Sequence, residues 1–68
     1  MAIENDIRRL RFEADEMTQA ALAERIGMTR QTVIAIEQNK YAPSLEAAFR
    51  IADAFGVPLT DVFCWTAD

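Results

Sequence analysis

One stretch, Thr18 to Lys40, leaves this chain the fewest ways to fold. It reads TQAALAERIGMTRQTVIAIEQNK. Its apolar residues recur at helical spacing on both sides of a glycine. Leu22 and Ile26 are four apart, with Ala23 beside them, and Val33 and Ile36 are three apart. Residues three or four apart share one face of a helix. Gly27 follows the last apolar position of the first segment. A left-handed residue commonly stops a helix there, and glycine takes that conformation without a steric cost. Thr18 and Thr29 stand just before the two segments. A threonine hydroxyl in that place accepts a hydrogen bond from an orphan N–H of the first turn. The pattern predicts a helix from about Gln19 to Ile26, a turn Gly27-Met28-Thr29, and a second helix from about Arg30 to Gln38.

Two short helices joined by a three-residue turn have the geometry of a helix-turn-helix, whose second helix fits a DNA major groove. With Val33 and Ile36 turned inward, Arg30, Gln31 and Ala35 fall on the other side, and Thr32 on its edge. Arginine pairs bidentately with guanine, and glutamine with adenine. Arg30 reads as a base or phosphate contact, or else as a plain surface arginine. Gln31 reads as an adenine contact and Thr32 as a phosphate or methyl contact. Ala35 is short enough only to touch a thymine methyl or leave room for one. Ile34 is placed at the margin of the core.

These residues resemble a known family. Thr18-Gln19, Leu22-Ala23, Gly27, Thr29 to Val33, Ile36-Glu37, Lys40 and Pro43 to Leu45 look like the Cro/C1 repressors, also called the xenobiotic-response-element family. The likeness runs over about residues 3 to 63. It implies an all-α, five-helix, lambda-repressor-like DNA-binding fold. It also implies that the Gln19 side chain reaches a phosphate and braces the start of the reading helix, where the residues alone would give an exposed helix position. A structural ion pair between a first-helix arginine and Glu37 is implied too. Arg11 is the candidate, but Asp15-Glu16 adds a residue where many members have a shorter, Gly-containing turn, so the choice of arginine stays open. Asn39 replaces the family's usual glycine as the left-handed cap. Thr29, Asn39, Lys40 and Tyr41 are further candidates for DNA contact. Tyr41 has packing on Pro43 as its alternative.

Sixty-eight residues make one domain near the lower limit for folding without disulfides or metal. One cysteine, Cys64, and no histidine leave no intramolecular disulfide, no zinc site of the usual kind and no histidine-based catalytic triad. No cofactor is expected, and an enzyme is disfavoured. No apolar run approaches the ~18 residues of a membrane span. The start, MAIENDIRRL, lacks the apolar core of a signal peptide, so a cytoplasmic protein is expected. The net charge of −4 is unusual for a DNA binder. It is unevenly spread, however. Residues 1–17 carry −2 and residues 44–68 carry −3, while Arg25, Arg30 and Lys40 against Glu24 and Glu37 leave 18–43 at +1. The field of the DNA-facing surface matters more than the total.

Before the motif, Met1 to Glu4 reads as a poorly ordered lead-in. Asn5 reads as an N-cap, and a helix is expected from about Asp6 to Ala14, with Ile7, Leu10 and Ala14 inward. Arg8, Arg9 and Arg11 lie off that stripe and read as a solvated face. Met17 is placed as a staple against Leu22. After the motif, Ser44 caps a helix running to about Phe55, with Leu45, Ala48, Ile51, Ala52 and Phe55 inward and Ala47 and Phe49 partly outside. Gly56 ends it, and Val57 packs back. A short helix follows, from about Leu59 or Thr60 to Phe63.

The tail Phe63-Cys64-Trp65 puts two large aromatics at the end of a polar chain. A homodimer interface made by Phe49, Leu59, Phe63 and Trp65 resolves this. The tail (within residues 59–66) would pair with its two-fold mate as a small ribbon, or else Trp65 would fold back on its own domain. Cys64 reads as a small apolar residue. The expected function is a DNA-binding transcriptional regulator, a repressor above all, placing one reading helix per subunit on double-stranded DNA. Two rivals remain: the antitoxin of a toxin–antitoxin pair, with a toxin as protein partner, and a protein-interaction module that has lost DNA binding.

Overall fold

The computed structural model describes residues 2–66. Among them the order is β1 (Ala2–Asn5), α1 (Ile7–Glu13), α2 (Gln19–Ile26), α3 (Arg30–Glu37), α4 (Leu45–Phe55), α5 (Leu59–Val62) and β2 (Phe63–Thr66). Three of the helices begin with the same device. Thr18 Oγ1 accepts from Ala21 N at 3.0 Å, Thr29 Oγ1 from Thr32 N at 3.2 Å, and Ser44 Oγ from Ala47 N at 3.1 Å. The same three end alike. Gly27, Asn39 and Gly56 take left-handed φ values of 72°, 60° and 69°. The next N–H then reaches back past the turn: Met28 to Ala23 O, Lys40 to Ala35 O and Val57 to Ala52 O. These bonds satisfy carbonyls that a helix end leaves orphaned. At Gly27 an added Cβ would touch only the tip of the Arg50 side chain, Nη1 at 3.4 Å, so the left-handed φ is what favours glycine there.

The ends of α1 are built differently. Asp6 occupies the N-cap position without a capping side-chain bond, and Asn5 Oδ1 instead accepts from Ile7 N at 3.1 Å. At the other end Asp15 and Glu16 are both left-handed, with φ of 60° and 55°. Such residues cost about 1–2 kcal/mol each where a Cβ is present. The loop is held by Met17 N donating to Arg11 O at 2.8 Å and by Arg11 Nη1 donating to Met17 O at 2.9 Å.

The inward faces meet in one core. Ile7 and Leu10 of α1, Leu22, Ala23 and Ile26 of α2, and Val33 and Ile36 of α3 pack with Ile51, Ala52 and Val62. A buried aliphatic side chain contributes about 1.5–3 kcal/mol. Met17, Val57, Leu59 and Phe63 lie half-buried against this cluster.

Three expectations are corrected. The fold is mostly helical but not all-α, because β1 and β2 form an antiparallel ribbon pairing Ala2 with Thr66, Ile3 with Trp65, Glu4 with Cys64 and Asn5 with Phe63. Residues 2–4 are therefore strand, not an unordered lead-in; Met1 lies outside the described residues. The tail supplies the other strand and pairs with its own N-terminal segment. The physical reason lies in the core. Packing Ile7 and Val62 together brings the two ends side by side, and Asp6 N donates to Val62 O at 2.9 Å where the ribbon starts. Finally, the inward stripe of α4 runs through Ala47, Ala48, Ile51 and Ala52. Ala47 is thus buried, and Leu45, expected inward, is 68% exposed. It stands with Phe49 on the outward side of that helix.

Candidate nucleic-acid interface

The site starts from the burial of Val33 and Ile36, which fixes the rotation of α3. Arg30 and Gln31 are then exposed at its N-terminal end, with Thr32 and Ala35 half-exposed. Thr29 and Thr32 are not independent. Their hydroxyls lie 3.0 Å apart and share a hydrogen bond, while Thr29 Oγ1 also accepts from Thr32 N. The Thr32 hydroxyl is thereby drawn back toward the cap.

Two concavities divide the predicted residues. Gln31, Thr32, Ala35 and Tyr41 line one shallow depression of about 240 Å³ on the open face of α3. Arg30 is not part of it. Together with Gln19, Thr18, Arg8 and Arg11 it lines a cleft of about 630 Å³ between α1, the start of α2 and one side of α3, reaching from Arg30 to Glu37 and Gln38. Gln19 is half-buried there, beside Arg30 rather than Gln31. Asn39, Lys40 and Tyr41 are exposed in the turn that follows α3. Tyr41 also borders a second groove of about 300 Å³, walled by Ile3, Ile36, Pro43, Phe63 and Trp65.

Two side-chain ties hold the reading helix. At its C-terminal end Glu37 meets Arg11 in a two-bond fork, Nε to Oε2 at 2.7 Å and Nη2 to Oε1 at 3.0 Å. The side chains are only 16% and 9% exposed, so removal of either leaves a largely buried charge without its partner. Arg8 and Arg9, the other two first-helix arginines, do not reach Glu37. Arg9 bonds Asp6 at 3.1 Å and Glu13 at 3.2 Å on the solvent side. Those side-chain hydrogen bonds, Asp6 first, push its pKa up from the ordinary arginine value.

The second tie comes from Asn5. Its Nδ2 donates to Ile36 O at 2.9 Å and to Asn39 Oδ1 at 3.0 Å. One side chain thus joins β1, the start of α1 and the end of α3. Sequence reading marks Asn5 only as a cap, since nothing local announces a partner more than thirty positions away. Arg50 is a similar case. It bonds Glu46 at 2.7 Å, and its Nη1 lies 3.4 Å from Ile26 O at the end of α2.

The residues expected at a dimer surface divide as well. Trp65 is 61% and Phe49 54% exposed, while Leu59 and Phe63 are half-buried against the chain's own core. Cys64 is exposed on the ribbon, registered opposite Glu4. None of the described helices is long and apolar enough to cross a membrane.

A capped pair of helices around a left-handed glycine, with hydrogen-bonding side chains at the open start of the second, defines a helix-turn-helix DNA-binding protein. Comparison with known proteins agrees: a family model described as helix-turn-helix matches residues 7–62. The chain belongs to this family, of the Cro/C1 type, whose members are DNA-binding transcriptional regulators and not a class of enzyme. Among its relatives is an HTH-type transcriptional regulator of Methanocaldococcus jannaschii. It is 52% identical over 52 residues, spanning 76% of this chain and 79% of its own. Another, from Methanothermobacter thermautotrophicus, is 51% identical over 53 residues, 76% of this chain and 77% of its own. A third, from Bacillus subtilis, is 50% identical over 46 residues, 68% and 70% of the two chains.

Proposed function

We propose that this chain is a sequence-specific repressor that acts in the cytoplasm as a homodimer on a pseudo-palindromic operator. Each subunit lays α3 in the major groove of one half-site, and the half-sites lie one helical turn, about 34 Å, apart. One observation carries the reading: burial of Val33 and Ile36 turns Gln31, Thr32 and Ala35 outward together, beside Tyr41. Gln31 reads adenine through its amide. Ala35 and the Thr32 methyl accommodate a thymine methyl. Arg30 and Gln19, on the far side of the helix start, hold phosphate, as do Thr29, Asn39 and Lys40 by position.

For the dimer, the support is the ribbon. Ile3 and Trp65 are cross-strand neighbours, hence on one face, and both are exposed. A second copy covers them, with Phe49 and the edges of Leu59 and Phe63 contributing. The whole chain acts as one unit, residues 18–40 reading DNA and residues 59–66 joining the subunits.

The test is selection of bound duplexes from a random pool at two salt concentrations. A recovered pseudo-palindrome with adenine among its selected positions is the expected result. A recovered single half-site would remove the dimer. No enrichment at low salt, from folded protein, would replace the reading with a protein-interaction module.

A further inference from the structure

The chain carries seven basic residues, and the structure divides them into neutralised and available. Arg9, Arg11 and Arg50 each hold a carboxylate. Among the described residues Arg8 and Arg30 make no ion pair within 4.0 Å, and both line the 630 Å³ cleft. Among the described residues the other charges on that wall are Arg11 and Glu37, which cancel each other in their fork. A chain of net charge −4 therefore holds a pocket of local charge +2, opening beside the start of the reading helix. Gln19 and Thr18 supply neutral hydrogen-bonding groups on the same wall.

We infer that this cleft is a seat for the DNA backbone, in which Arg8 of α1 binds a phosphodiester together with Arg30 and Gln19. The inference rests on the proposed reading of DNA by α3. It extends the contact surface to α1, outside the helix-turn-helix. The chemistry is that of a guanidinium fork on two phosphate oxygens, which matches anionic oxygens bidentately. Arg8 stands on a helix that does not enter the groove, so it contacts the backbone of any duplex and carries no base preference. Its neighbour Arg9, one position on, faces Asp6 and Glu13 and contributes nothing to the DNA.

The test compares Arg8→Ala, Arg8→Lys and Arg9→Ala with the parent protein, titrated over a salt series on the selected operator and on an unrelated duplex. Arg8 is exposed and makes no side-chain hydrogen bond among the described residues, and thermal unfolding serves as a check that each variant is intact. Arg8→Ala is expected to weaken binding to both duplexes by a similar factor, roughly three- to tenfold, and to lower the slope of log K against log salt by about 0.9 per subunit. Arg8→Lys retains most of the slope, and Arg9→Ala behaves as the parent. Parent-like affinity and slope in Arg8→Ala would overturn the inference while leaving the reading of DNA by α3 in place. A loss confined to the operator would also overturn it, because a backbone contact has no sequence preference. A folded parent protein that binds neither duplex at low salt would overturn the inference and the reading together.

Discussion

The helix-turn-helix and the terminal ribbon are built on opposite logics. In residues 18–40 each helix boundary has a cap or stop made within a few positions of itself. Thr18 reaches Ala21, Thr29 reaches Thr32, Met28 reaches back to Ala23, and Lys40 reaches back to Ala35. In the ribbon each partner comes from the other end of the chain: Thr66 Oγ1 donates to Glu4 across 62 positions at 2.7 Å. Local bonds form at little cost in chain entropy, whereas a pairing of the two ends needs the loop between them closed first. The motif can therefore specify itself. The ribbon exists only once α1 and α5 have docked.

That contrast can be tested by substitution, beginning with the tie expected to matter most. Arg11→Ala removes the fork to Glu37 and the bond to Met17 O. It should destabilise the chain by about 3 kcal/mol, read as a lower urea midpoint, because a nearly buried carboxylate loses its partner. A loss below about 0.5 kcal/mol would mean the motif stands without its tie to α1. The bridge between the two regions is the next target. Asn5→Ala should cost about 1 kcal/mol, the usual contribution of a hydrogen-bonded polar side chain. In hydrogen exchange it should expose the Asp6 amide and the ribbon amides while leaving α2 protected. Equal loss of protection in α2 would show the regions to be one cooperative unit. The smallest effect on folding is expected at Trp65, which is 61% exposed. Trp65→Ala should change stability of the dissociated chain by less than about 0.5 kcal/mol, as exposed positions do. It should nonetheless shift sedimentation toward monomer. An unchanged dimer population at dilute concentration would take the ribbon out of the proposed interface.

Legibility followed the same division. The caps at Thr18, Thr29 and Ser44 and the stops at Gly27, Asn39 and Gly56 stand where sequence rules place them, because hydroxyls, glycine and asparagine act on their own neighbours. Within α4 the rules placed Ala48, Ile51 and Ala52 inward and Phe49 outward correctly, but missed at the start of the helix, where Leu45 is exposed and Ala47 is buried. Of the ribbon, the extended tail was legible and its partner strand was not. AIEN shows no strand alternation, and no rule of pattern joins it to FCWT.

At the candidate interface, residue types were readable and groupings were not. Arg30 and Gln31 are adjacent in sequence and point to different concavities, so a run that looks like one reading unit is two. Arg8, a solvated arginine by pattern, shares a wall with Gln19, eleven positions on. Which first-helix arginine meets Glu37 also depended on how the Asp15-Glu16 turn closes, with two successive left-handed residues setting the phase between α1 and α2.

Read alone, then, the sequence determined the helices, their ends, the inward faces of α2 and α3, and the family. The helices, their ends and their faces follow from hydrogen bonds and periodicities spanning six residues or fewer, and the family from a resemblance spread over most of the chain. Tertiary structure decided the ribbon, the Asn5 bridge, the Arg11 fork and the separation of Arg30 from Gln31. Each of those depends on the angle and distance at which elements dock. That geometry is a property of the packed core as a whole, and no single segment encodes it.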